Sequence, residues 1–199
     1  MKQRLLVQLF VIYTRYLIGG AFVFSSVIKI QGKRFTADSG ADHPIDTAWH
    51  FFETLYQSGI YWKFLGGAQL VAGLLLMTQR YSKLGALLFL PIITSIFMVT
   101  ISYEFAGTPI ITGLMLLANL MLIYWDWDEL RILINKKPFI DDQKRWNKDT
   151  VWEITGIALF AFTVICRVLA YHIFLWFGVC CLIGTIGLIL GLKRKNNYN

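Results

Sequence analysis

The chain has 199 residues, 56% of them hydrophobic and 16% charged, with a formal net charge of +7. A soluble domain holds about 45–50% apolar and about 25% charged residues, whereas here the apolar excess collects into blocks of about 17–26 residues, the length of a helix crossing about 30 Å of hydrocarbon. That excludes an ordinary soluble core, and the positive charge, without a basic stripe interleaved with exposed aromatics, excludes a nucleic-acid surface.

The first block, residues 5–30, predicts a membrane span with one interior charge, Arg15. Lys2 and Arg4 precede it as they would in a signal peptide. The apolar stretch is too long for one, however, and no clear small-x-small cleavage site closes it. Residues 31–60 are the longest non-spanning segment and open with a turn-rich stretch, 31–42. Asp42, His43 and Pro44 mark a helix start, with proline tolerated in the first turn. Beyond it Ile45, Ala48, Trp49, Phe52, Leu55 and Tyr56 share one helical face and Asp46, His50, Glu53 and Gln57 the other. This predicts an amphipathic helix of about 14 residues, too short to span and suited to a membrane interface or the mouth of a bundle.

Residues 61–78 and 84–103 are the second and third spans, and the short link 79–83 makes them an antiparallel hairpin. A fourth span covers 107–125. A basic polar loop, 127–150, leads into a second hairpin, 151–192, and a polar tail, 193–199. With the N-terminus inside, Lys2, Arg4, Arg80, Lys83, Arg131, Lys136, Lys137, Lys144, Arg145, Lys148, Lys193, Arg194 and Lys195 fall on the cytoplasmic side. Only Lys33 and Arg34 fall clearly on the other, with Lys29, Lys63 and Arg167 near span ends. The asymmetry places both termini in the cytoplasm. Trp62, Trp125, Trp127, Trp146 and Trp152 stand at span ends and read as an aromatic belt. Gly19–Gly20, Gly66–Gly67, Gly73, Gly184, Gly187 and Gly191 offer close helix approach. Cys166, Cys180 and Cys181 form no CxxC pair and read as small buried hydrophobes.

Polar groups deep in lipid are costly and need a partner or a role. Arg15, Gln69 and Asn119 fall at similar depths, about seven to ten residues from the cytoplasmic ends of their helices, roughly 10–15 Å at 1.5 Å per residue. One reading is a mid-membrane pocket in which Arg15, Gln69 and Asn119 hold an anionic or quinone-like head group. The other is a structural guanidinium satisfied by amide and backbone oxygens, since no acid in the first four spans is clearly deep enough to neutralise it. Asp126 and Asp128 read as solvated span-end acids within reach of Arg131 or Arg80. His50 and Glu53, three apart on one face, form with His43 a weak metal constellation that reads first as a solvated polar face. No P-loop, GxGxxG, HExxH or GxSxG is present in the sequence. Neither facing haem-ligand histidines nor an inverted repeat is evident, so an enzyme acting alone is not supported.

The run from Arg15 to Lys29, RYLIGGAFVFSSVIK, resembles the first helix of DoxX-like membrane proteins. Residues 65–87, LGGAQLVAGLLLMTQRYSKLGAL, resemble their second helix and its basic turn, and 119–126, NLMLIYWD, the close of their fourth. The resemblance covers residues 5–126 and implies a four-helix bundle in the bacterial inner membrane, with an interfacial helix after the first span. Some relatives are subunits of thiosulfate:quinone oxidoreductases or belong to thiol redox systems. Residues 1–126 contain no cysteine, which weakens a dithiol mechanism here, and the hairpin 151–192 has no counterpart in the family core.

The fold expected is therefore an all-α integral membrane bundle of six spans, with residues 1–126 as a DoxX-like core and 151–192 added to it. The function expected is an accessory or scaffold component of a membrane complex, linked to quinone or thiol redox. The alternative is a small-molecule or lipid carrier or binding protein of the membrane. The expected partners are the lipid bilayer and either membrane proteins or further copies of the chain.

Overall fold

A computed structural model describes residues 4–138, 146, 149–169 and 172–196, with side chains through residue 194. Lys2, Lys144, Arg145 and Lys148 of the basic count lie outside the described residues, as does the side chain of Lys195. Among the described residues the chain is all-helical: α1 (Leu5–Ile30), α2 (Ala48–Gln57), α3 (Ile60–Met77), α4 (Ser82–Ser102), α5 (Thr108–Trp125), the single turn α6 (Trp127–Leu130), α7 (Thr150–Leu169) and α8 (Ile173–Asn196), with a 3-10 turn at Arg131–Ile134. Six of these helices are long and apolar enough to cross a membrane. The protein is a multi-pass membrane protein. The expected spans coincide with α1, α3, α4, α5, α7 and α8 to within a residue or two at most ends, and α8 runs four residues past 192.

Helix α1 is the hub, packing on α3, α5 and α7. It has two buried faces. Val11, Ile18 and Phe22 join Ala72, Leu76, Phe89, Ile93 and Leu122 in one apolar cluster. Ile12, Tyr16 and Val23 join Met77, Trp152 and Leu159 in the other. Half of the most apolar stretch of α1 is buried, against 11% for α8, so α1 is the core and α8 the rim. Side chains left outside, such as Leu6, Leu17, Tyr124 and Phe174, are the surface that lipid covers in a spanning bundle.

Close approach is made by small residues, as membrane helices require. A Cβ on Gly73 would lie 2.7 Å from the Gly19 carbonyl oxygen, and one on Gly156 would overlap the Met77 carbonyl. The C-terminal hairpin is thus seated directly on the first four spans. Gly187, one of the glycines read above as a point of close helix approach, packs on Thr155 inside the hairpin. The tryptophans divide as well: Trp62, Trp125 and Trp152 are buried, and only Trp127 is exposed as a belt residue would be. Trp152 sits between Tyr13 and Trp146 rather than at the lipid boundary.

Antiparallel pairing places the start of α1, the end of α8, the 79–81 turn and Asp126 at one end of the bundle, the termini end. The segment 31–59 and the link 103–107 lie at the far end. There α2 begins at Thr47, whose hydroxyl accepts from the His50 amide. It lies across the bundle mouth, with Phe51 against Tyr103 and Phe52 against Phe105.

Candidate functional site

Among the described residues a cavity opens at each end of the bundle. The far-end cavity has a volume of about 470 Å³ and is lined by residues of α1, α2, α3, α4 and α5. Its origin is local. At the 79–81 turn α3 and α4 are pressed together, since a Cβ on Gly85 would lie 2.5 Å from the Leu76 amide nitrogen. Away from that turn the two helices leave space between Leu65 and Ala68 on one side and Ile92 and Ile96 on the other. Pro91, inside α4 and on the cavity wall, has no N–H to give the Leu87 carbonyl, which relaxes the helix at that level. Helix α2 closes the top with Phe51, Phe52 and Leu55. Tyr61 and Phe64, both lining residues, are 52% and 67% exposed, which leaves the cavity open to the outside on their side.

This lining is apolar except at a few points. Lys29, in the last turn of α1, is 6% exposed and donates to the Ser25 carbonyl at 3.0 Å. Its ammonium lies 5.1 Å from the Phe35 ring and 5.2 Å from the Trp62 ring. A cation at a helix C-terminus meets the negative end of the helix dipole, and aromatic faces add to that. Trp62 is fixed by its own indole N–H, which donates to the Lys33 carbonyl at 3.0 Å. One turn along α3 from the Gly66 contact with Lys29 and Ser26, the Gln69 side chain is 2% exposed and its Oε1 has no hydrogen-bond partner. Thr100 and Thr112 pair with each other at 2.9 Å. Among the described residues, no aspartate or glutamate lines this cavity. It holds a buried cation, an unsatisfied amide oxygen and an apolar sleeve, the composition of a site for an amphiphile.

The lid is held by an ion pair. Arg34 Nε and Nη2 donate to the two carboxylate oxygens of Glu53 at 2.7 and 2.9 Å, and the Gly40 amide donates to the same group at 3.3 Å. The Arg34 guanidinium holds the Glu53 carboxyl down at about 2, with the Gly40 and Gln57 hydrogen bonds acting the same way, and the carboxylate in turn raises Arg34. Glu53 is therefore committed to Arg34. His50 Nδ1 lies 3.1 Å from the His43 carbonyl. Among the described residues, no cluster of three metal-ligating side chains occurs.

The termini-end cavity, about 390 Å³, is polar and is lined by Arg15, Gln79, Lys83, Asp126, Asp149 and Glu153 among others. Arg15 Nη2 donates to Asp126 Oδ2 at 2.6 Å and Nη1 to Gln79 Oε1 at 3.0 Å, while Gln79 Nε2 donates to the Ile12 carbonyl at 3.3 Å. Asp126 is buried, not solvated, and it neutralises Arg15. The guanidinium reaches it by running its long stem along α1 toward the polar end. Lys83 pairs with Glu129, and Arg194 with Asp149 at 3.0 Å. These ion pairs bind helix ends together.

The three residues Arg15, Gln69 and Asn119 are not brought into one site. Arg15 belongs to the termini-end network and Gln69 to the far-end cavity. Asn119 Nδ2 donates to the Ala86 carbonyl at 3.0 Å and ties α5 to α4, lining neither cavity. Lys29 and Asp126 gain importance over their sequence reading. Lys29 still lies inside the apolar run beside Ser25–Ser26, and Asp126 is the first acid after the fourth span; those were the available signals.

Neither a family model nor a solved structure matches the chain. It is similar to the uncharacterized protein YwoB of Bacillus subtilis (strain 168). The two are 28% identical over 101 residues, which is 51% of this chain and 63% of that protein. The match thus spans less than two thirds of YwoB, and its name states no activity that bears on either cavity.

Proposed function

We propose that the protein binds a lipophilic small molecule or lipid in its far-end cavity, as a carrier or as the ligand-holding accessory subunit of a membrane complex. The carrying observation is the cavity itself: about 470 Å³, roofed by α2, apolar in its walls and rimmed by exposed Tyr61 and Phe64. That volume lies within the range of about 300–1,000 Å³ typical of small-molecule sites. The excess of Lys and Arg at the termini end supports an orientation with both termini in the cytoplasm, which puts the cavity in the outer half of the bilayer. A bacterial inner-membrane location and a DoxX-like core rest on the residues quoted from 15–29, 65–87 and 119–126.

The test is lipid and quinone mass spectrometry of the detergent-purified protein beside Ala68→Phe, which puts a ring into the cavity wall. A species that co-purifies with the wild type and is lost from a folded Ala68→Phe protein supports the proposal. Its equal retention by the variant sinks it.

A further inference from the structure

We infer that the occupant of the far-end cavity is a bilayer lipid with an acidic head group, its negative charge seated on Lys29 and a hydroxyl of the same head group donating to Gln69. The inference rests on the binding function proposed above and adds the chemistry of the ligand.

Three observations carry it. The ammonium of Lys29 is buried, and its partners are neutral: the Ser25 carbonyl of its own helix and the rings of Phe35 and Trp62. Such a group in a low-dielectric site is costly until a counter-charge joins it. Among the described residues the other buried cation, Arg15, has a carboxylate at 2.6 Å, so the fold supplies a counter-charge at one end of α1 and leaves that place to a ligand at the other. Second, the described residues of the cavity lining include no acid, so an incoming anion meets no like charge among them. Third, Gln69 Oε1 is buried without a hydrogen-bond donor, so a bare anion satisfies Lys29 but not Gln69. An acid that also carries a hydroxyl, such as a phosphate ester of a glycerol lipid, satisfies both. The tail then lies along Leu65, Ala68, Ile92 and Ile96 and leaves between Tyr61 and Phe64.

A neutral quinone offers acceptors only. It satisfies Lys29 in part and leaves Gln69 Oε1 as it is. The acidic lipid is therefore the better match to the charges present.

The experiment titrates the purified full-length protein in neutral detergent with three probes, followed by tryptophan fluorescence: oleoyl lysophosphatidic acid, monooleoylglycerol with the same tail and no charge, and decylubiquinone. The wild type should bind the lysophosphatidic acid about tenfold or more tighter than the glyceride, as a charge-assisted hydrogen bond provides. Lys29→Met should remove that preference, Lys29→Arg should restore it, and Gln69→Leu should weaken the acid with the preference partly kept. Equal binding of acid and glyceride, or tighter binding of decylubiquinone, overturns the acidic-lipid inference while leaving a lipophile-binding cavity in place. No binding of any probe removes the cavity function as well. If Lys29→Met does not fold, the acid-against-glyceride comparison on the wild type decides alone.

Discussion

Arg15 and Asp126, 111 residues apart, meet at 2.6 Å with side chains 2% and 5% exposed, joining the middle of the first span to the end of the fourth. Breaking a buried pair by removing one partner costs about 3–5 kcal/mol, whereas replacing both with apolar groups of similar size is often neutral. Asp126→Leu alone should therefore destabilise the bundle by an amount in that range. Arg15→Met with Asp126→Leu should recover most of it. Thermal unfolding in detergent over the full double-mutant cycle gives the coupling, and additive losses would show that the two residues act independently.

Seating of the C-terminal hairpin depends on Gly156, where any Cβ overlaps the Met77 carbonyl and approaches Tyr16 Cε1 to 2.9 Å. Gly156→Val should cost more than about 2 kcal/mol, because backbone cannot yield as a flexible side chain can. Gly67→Ala, with nothing within 4 Å, should stay within about 1 kcal/mol of wild type and lean toward stabilisation through helix propensity. Equal melting temperatures for the two variants would contradict the packing described.

The lid should respond to acid. Glu53 is held at about 2, below its ordinary 4.5, so its ion pair contributes fully above 4.5 and the contribution is lost as pH falls through about 2. Hydrogen exchange of α2, corrected for intrinsic rates, should keep constant protection from neutral pH to about 4.5 and lose it progressively below. Glu53→Gln should lower protection at neutral pH and flatten the profile. An unchanged profile in that variant would remove Glu53 from the lid.

Asn119 separates the two arrangements considered for the interior polar residues. It bonds to the Ala86 carbonyl and lines neither cavity. Asn119→Leu should cost about 1 kcal/mol or less, in line with hydrogen bonds between membrane helices, and should leave the affinity for a lipophilic probe unchanged. A tenfold loss of affinity with normal stability would return Asn119 to the binding site.

The spans were legible because length and apolar purity are local: residues 5–30 read as one helix and Leu5–Ile30 is one. The amphipathic segment after them was legible for the same reason, although its helix begins only at Ala48. Arg15's partner was not, because depth counted along each helix ignores how far a long side chain reaches toward a span end. Trp62 and Trp152 read as boundary anchors because sequence places them at span ends but does not say which face turns inward; both are buried. The cavity was invisible too, as it arises from α3 and α4 meeting at one end and parting at the other.

The 111 residues between Arg15 and Asp126, made at about 5–20 residues per second, separate the two partners by on the order of ten seconds of synthesis. Gln79 arrives earlier, 64 residues after Arg15, and Trp152, whose carbonyl accepts from Tyr16, later still, 136 residues after Tyr16. The helix at the centre of the bundle is thus made before the other described helices and is among the last to be completed. Its guanidinium waits in or near the membrane for the rest of the chain.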